Sequence, residues 1–484
     1  MAICERKEFQ KTIADIIIIA VYIVAMFGVG VYARTRIKSV DDFLVAGNRF
    51  KTFSLVGTLV AALTGAGTTM GIVGSVYQYG AGIMWNFIGL AAGCIIFGLV
   101  YCTAVRRTGA RSMAELIAGR FGRLPRFFSG LIVPIYCLGS VTICVAGMGR
   151  LITYISRDFN LNISMFAAVL VTCIIVVGYT ALGGLYSVVW TDVVQFVIMI
   201  VVIMVIGPIL AIKNAGSFEA LESAVQVSGT SLTNPFEGVP LAYMASSAIL
   251  MFVGTPGDPT VPQRALAADT ERTAKKSFVI AGILYVVFGA GLLFIGAGAM
   301  QAMPNIADTY GTTEAAFPVY IMHYYPPVLR GLGIAALLAA IMSTISAMLL
   351  VATTHLVYDV GKAIKPDLSD DTLKKVLPIA ICVLGAIVVY TALKVTTLAD
   401  VLYFIFSLCG SSFIFPMIAT LWWKKASTWG VTAGIVLGAA CCLTMYATGH
   451  MGPGGDPVYV SMAVSLVAVG LLSLIIPDKK KAEA

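Results

Sequence analysis

The sequence predicts an all-α integral membrane protein with about thirteen transmembrane helices. Three observations predict it. Of the 484 residues, 59% are hydrophobic and only 12% are charged, and the mean hydropathy is +0.93. A soluble chain of this size needs about twice that charged fraction to cover its surface, so much of this one must face lipid. Second, the apolar residues fall in runs of spanning length, at 13–33, 52–80, 82–105, 127–156, 162–180, 185–212, 240–262, 277–301, 327–358, 375–393, 397–423, 428–448 and 456–476. Backbone groups in lipid must be satisfied within their own segment, and runs such as 15–25 lack the alternation of a barrel strand. Third, the charges are one-sided. If the basic C-terminus (Lys479, Lys480, Lys481) is cytoplasmic, 24 of the 32 lysines and arginines lie on the cytoplasmic side. That asymmetry predicts an outward N-terminus and a cytoplasmic C-terminus in a cell membrane. It also explains the net charge of +8 without a nucleic-acid partner.

Taken in order, residues 1–11 are polar with both signs of charge, and the run 13–31 is too long for a typical signal core. The first run is therefore a peripheral N-terminal helix. Nine of the 10 cysteines lie in apolar stretches without metal-ligand spacing, and His323, His355 and His450 are far apart. These read as packing residues, and no metal cluster is expected. The longest loops, 213–239 and 302–326, fall outside, the second with room for a short amphipathic helix at 312–323. No soluble domain or soluble partner is expected.

Two spans look broken. The middle of the second run reads Thr64-Gly65-Ala66-Gly67-Thr68-Thr69, and the seventh contains Gly254-Thr255-Pro256-Gly257-Asp258-Pro259. A continuous helix through both prolines would lose hydrogen bonds and clash with its preceding turn. The breaks are five segments apart, which suggests an inverted repeat, 52–212 against 240–423, followed by two C-terminal helices over 428–476. Broken helices expose carbonyl ends that attract cations and amide ends that attract anions, the pattern of carriers that bind cargo at mid-membrane. A proline kink with small-residue packing is the plainer alternative.

In the ninth run, Ala340, Ser343 and Thr344 share one helix face. Two hydroxyls beside a small residue would suit a hard cation such as sodium, although hydroxyls also bond back to their own helix. Asp192 lies in an apolar stretch, one turn from Gln195. An ionised carboxylate there is costly and usually functional, unless it is hydrated near the membrane edge or paired with a loop arginine.

The stretch 183–195, ending Trp190-Thr191-Asp192-Val193-Val194-Gln195, closely resembles the signature of the sodium:solute symporter family, which includes sodium–glucose, proline, pantothenate, sialic acid and choline carriers. The loop 39–49 and the stretch 263–267 resemble that family's first cytoplasmic loop and the segment after its sixth core helix. The resemblance covers essentially the whole chain. It implies a five-plus-five inverted-repeat core of the leucine-transporter type, with one helix before it and two after. It implies a sodium ion held by carbonyls of Ala61, Thr64 and Ala340 and by the hydroxyls of Ser343 and Thr344. A possible second sodium would involve Asp192, Ser343 and Ser346. Ala347 stands where two-sodium members carry a further hydroxyl, so the alternative role for Asp192 is to tune the first site.

The cargo is expected to be a small organic solute. Leu63 and Phe87 are apolar where sugar carriers are polar, and Gly257 stands where choline carriers have an aromatic residue. Asp258 would favour an amino group and the amide end near Thr68 and Thr69 a carboxylate, which suits an amino acid, carboxylate or similar zwitterion. Trp85 and Tyr77 could supply an aromatic face or simply anchor in the interface. Asp258 could equally cap a half-helix or pair with Arg264. The rival readings are a proton-coupled carrier using Asp192, a sodium-coupled choline, vitamin or sugar carrier, a channel, and a sensor. An enzyme is not expected, because no nucleophile motif or catalytic carboxylate pair is visible.

Overall fold

The computed structural model describes residues 13–35, 40–45, 49–158, 163–450 and 456–478. The polar stretch 1–11, part of the 39–49 loop and Lys479, Lys480 and Lys481 lie outside them. Among the described residues, ten helices are long and apolar enough to cross a membrane, and three shorter apolar ones, Thr52–Ala62, Met165–Ala181 and Leu241–Gly257, accompany them. The short ones are short for a local reason, since each stops where the backbone leaves helical geometry.

The principal helices are α1 (Ile13–Arg34), α2 (Thr52–Ala62), α3 (Ile72–Tyr79), α4 (Met84–Ile96), α5 (Arg123–Asp158) and α6 (Met165–Met199). After a loop come α7 (Leu241–Gly257), α8 (Thr260–Ala267), α9 (Glu271–Ala302), α10 (Leu329–Thr353), α11 (Asp370–Ala392), α12 (Leu398–Leu421), α13 (Thr428–Thr448) and α14 (Val458–Ile475). The first break separates α2 from α3 at Leu63, Thr64 and Gly65, and a π-helical turn over Gly67–Gly71 leads into α3. The second separates α7 from α8 at Asp258, whose backbone is extended. A third divides α6 at Gly184, whose φ of 49° favours glycine. It falls between the two apolar runs 162–180 and 185–212.

The centre is α10. It packs against α6, α5 and α2, while α2 also lies along α6, and α7 lies against α4 and α12. Every residue in the apolar window of Leu329–Ile364 is buried, against about a fifth to a third for the outer helices α1, α11 and α14. Small residues permit this closeness. A Cβ on Gly89 would lie 2.2 Å from the carbonyl oxygen of Ala248 on α7.

Helix α1 lies on the outside of the bundle and is anchored to it near its start. Asp15 is buried, accepts from the Arg330 guanidinium, and takes backbone N–H bonds from Val328 (2.9 Å) and Gly331 (3.1 Å). The loop with room for a short amphipathic helix at 312–323 does carry a helix, over Ala316–Tyr324, after a short turn at Thr313–Ala315. Residues 316–322 are all buried, so the segment is a plug wedged among helices rather than a solvated loop.

Candidate functional site

The first break puts backbone oxygens beside the hydroxyl face of α10. Ser343 Oγ donates to the Ala61 carbonyl at 2.8 Å and to the Ala340 carbonyl at 2.9 Å. Thr344 Oγ1 lies 3.2 Å from the Ala62 carbonyl and 3.4 Å from that of Ala340. Thr64 turns its hydroxyl back on Val60 (2.8 Å) and Ala61 (3.2 Å). Ala61, Thr64, Ala340, Ser343 and Thr344 therefore meet in one buried place, with Ala62 as an oxygen that the sequence reading did not name. The approach depends on Gly65, where a Cβ would sit 2.7 Å from Cys144 Sγ and 3.1 Å from Thr344 Oγ1. Neutral oxygens, two of them hydroxyls free to rotate, form a donor set that fits a hard monovalent cation.

Asp192 lies on α6, fully buried, and accepts from Thr58 Oγ1. The Arg264 guanidinium, itself buried on α8, stands 3.8 Å away. The second carboxylate oxygen, Oδ1, has no hydrogen-bond partner among the described residues. Ser346 Oγ bonds back to the Ser343 carbonyl at 3.0 Å, so the hydrogen bonds of Asp192 run to α2 rather than to Ser343 or Ser346. One turn on, Gln195 Nε2 donates to Tyr22 on α1 at 3.0 Å, which links α1 to the signature stretch.

Beside the first break lies a narrow cavity. Its wall includes Ala62, Leu63, Gly65 and Thr68 from the break, Tyr136 and Ser140 from α5, Thr344 from α10 and Phe406 from α12. Thr344 thus belongs to both the cavity wall and the hydroxyl face. Asp258 is not in the wall. It sits behind Tyr136, whose hydroxyl donates to it, and it accepts the Thr260 N–H at 2.7 Å, so it closes the start of α8. Thr69 Oγ1 turns to the Gly65 carbonyl at 2.7 Å. Trp85 is not brought to the cavity: its indole N–H donates to Pro235 O at 3.1 Å and its ring meets Phe236 edge-on in the loop. Phe87 packs on Phe288 between α4 and α9. Tyr77 donates to Met303 O at 3.1 Å.

Charged and backbone contacts cross the protein at both ends of this site. At the basic end, Arg126 and Ser112 hold Asp359 at 3.0 and 2.9 Å, and Arg106 donates to the Ala265 and Ala268 carbonyls. At the opposite end, Arg150 pairs with Glu314 and donates to the carbonyls of Val395 and Thr396, while Glu314 accepts from the amides of Leu398 and Ala399. Sequence reading missed Tyr136 and Thr58 because a lone tyrosine or threonine in an apolar run carries no local signal. Only packing shows what it faces.

Comparison with known proteins places the chain in a family. The Sodium:solute symporter family profile matches residues 43–438. The chain is 27% identical to a sodium/proline symporter of Haemophilus influenzae, over 95% of this chain and 94% of that protein. It is 26% identical to a sodium/pantothenate symporter of the same organism, over 86% and 87%. In structure it resembles a Na+-coupled sialic acid symporter solved substrate-bound and outward-open, with a TM-score of 0.81 at 20% identity, covering 98% of this chain and 100% of that one. That likeness fixes the fold as the leucine-transporter type. A multi-pass helical membrane protein with this fold, matched by this profile over most of its length, is a sodium-coupled carrier of a small organic solute, and the chain belongs to the sodium:solute symporter family.

Proposed function

We propose that this carrier moves an amino acid, or a similar zwitterion or carboxylate, together with sodium bound by the carbonyls of Ala61, Thr64 and Ala340 and the hydroxyls of Ser343 and Thr344. One observation carries the reading: Ser343 and Thr344 already lie within hydrogen-bond range of carbonyls on α2. Each hydroxyl keeps lone pairs when it donates, so a cation needs only a rotation of the protons to draw the same oxygens around itself.

Coupling follows from Thr344. An ion that draws α10 towards the end of α2 also shapes the cavity wall to which Thr344 belongs, so sodium and solute favour the same arrangement and each raises the affinity for the other. Parting α2 from α10 would separate the ligands and release both. One charge moved across 100 mV supplies about 2.3 kcal/mol. The amide end of the helix that begins near Thr68 would favour the carboxylate of the solute. In this reading 52–212 and 240–423 are the two inverted repeats, 428–476 is an appendage, the N-terminus is outside and the C-terminus cytoplasmic. Asp192, with one unpartnered oxygen, is the natural place for a second ion or a regulating proton.

The test is sodium dependence in the purified full-length protein. Sodium chloride, unlike potassium chloride, should raise the melting temperature by mass action. In vesicles, S343A and T344A should each raise the sodium concentration for half-maximal uptake about tenfold or more, as expected for loss of one buried polar ligand. Equal uptake in potassium-only buffer, abolished by a protonophore, would transfer the coupling role to a proton at Asp192.

A further inference from the structure

An open groove of about 590 Å³ lies on the outer surface at the basic end of the bundle, beside the start of α9. Arg272, Lys275, Lys276 and Val279 follow one another at helical spacing, so one face of α9 carries three cations and then apolar side chains. Opposite this face runs the π-helical turn Phe97–Tyr101, which continues α4. The two backbones meet at Gly98, where a Cβ would lie 2.6 Å from Phe278 Cβ and 3.3 Å from the Lys275 carbonyl oxygen. The turn leaves Leu99 and Val100 exposed. The groove is therefore apolar at Leu99, Val279 and Ile280 and basic at Arg272, Lys275 and Lys276.

Its charges are unbalanced. Glu271 is the one carboxylate in the wall, and Arg107 engages it at 3.4 Å. Among the described residues Arg272, Lys275 and Lys276 form no ion pair. Asp269, just before the helix, lies outside the wall and is accompanied by Lys51. Cations in the first turns of a helix lie at the positive end of its dipole, an unfavourable place unless an anion is near.

We propose that this groove binds one anionic phospholipid of the surrounding bilayer. Arg272, Lys275 and Lys276 would hold the phosphate, and an acyl chain would lie along Leu99, Val279 and Ile280. A free phosphate would match the cations and leave the apolar wall uncovered. A zwitterionic lipid would cover the wall and bring its own cation into the basic patch. Only an anionic lipid satisfies both ends. Basic pockets between membrane helices recognise anionic headgroups in this way, and each Lys or Arg near the surface strengthens the attraction about fivefold. Helix α9 also lies along α2, where Tyr285 donates to the Leu59 carbonyl at 2.6 Å. A lipid seated at its start therefore braces the scaffold beside the first break without reaching the oxygens there. The inference goes beyond the proposed function and holds whichever ion or solute the carrier moves.

The experiment measures thermal stability of the purified full-length protein at fixed ionic strength, because exposed charges are screened by salt. Phosphatidylglycerol and phosphatidylcholine with identical acyl chains are titrated into the detergent, with glycerol 3-phosphate as the chain-free probe. Phosphatidylglycerol should raise the melting temperature of the wild type, and the other two should raise it much less. R272Q/K275Q/K276Q should raise the half-stabilising fraction of phosphatidylglycerol at least tenfold. The control K365Q/K375Q/K425Q removes the same charge from other basic loops and should stay within about twofold. Cooperative melting of each variant without added lipid shows that it folds. Should the triple variant not fold, K276Q alone, at an exposed position, should shift the fraction about fivefold. Three results each overturn the proposal. They are equal stabilisation by both lipids, a control loss as large as that of the groove variant, and full stabilisation by glycerol 3-phosphate, which would mark a site for soluble anions.

Discussion

At the scale of single residues, the site is built from close approach, and glycine is the most exposed point in it. Gly65 lies where a methyl group would press on both Cys144 and Thr344. G65A should therefore push Thr344 away from the end of α2 and raise the sodium midpoint about tenfold, a loss of about 1.4 kcal/mol. A sodium titration followed by thermal shift checks it. Adding C144A should restore little, because the contact with Thr344 remains. An unmoved midpoint would mean that Thr344 does not ligate the ion. The same scale shows what the sequence conceals. Ala340, Ser343 and Thr344 were legible because helical spacing alone puts them on one face. The Tyr136–Asp258 pair was not, since its partners are 122 residues apart and only packing sets their register. Trp85 shows the opposite failing: an aromatic residue next to a candidate cavity in sequence terms spends itself on the loop carbonyl of Pro235.

At the scale of elements, hydropathy and proline are local signals, so the spans and both breaks could be read directly. How α1 attaches could not. Asp15 and Arg330 are 315 residues apart, and nothing near either names the other. Their pairing also holds Val328, a β-branched residue at a φ of 72°, where few side chains are comfortable. Removing one member of a buried pair leaves the other charge unmatched and costs about 3–5 kcal/mol. D15A and R330A should each lower the melting temperature by several degrees, and the double variant should fall no further than the worse single one. An additive double variant in that thermal cycle would show that the two act independently.

At the scale of the whole molecule, buried charges tie separate helices together at each end of the site. Burial pushes the Glu314 carboxyl above its ordinary range, with Arg150 and the amides of Leu398 and Ala399 pulling it back. An acid raised in this way holds its proton more tightly when folded. Its contribution to stability is therefore present at low pH and lost as the pH rises through the folded value. For the contact itself the sign is reversed, because Arg150 is matched only by the ionised form. Mild acid, at a pH above the usual carboxylate range, should loosen this end first. Hydrogen exchange over residues 396–399, corrected for intrinsic rates, should rise on acidification in the wild type. In E314Q it should be raised and independent of pH. A wild-type profile without pH dependence would show that Glu314 keeps its charge throughout.

The burial of the whole central apolar stretch of α10 has a consequence for how the membrane can act on this carrier. The helices α1, α11 and α14 bury only about a fifth to a third of their apolar windows and so present the apolar surface that lipid would cover, where changes in bilayer thickness should be absorbed by tilt. The oxygens near Ser343 are screened from those strains by a full layer of protein. Membrane composition should accordingly alter how fast the machine cycles and leave how tightly it grips its ion almost untouched.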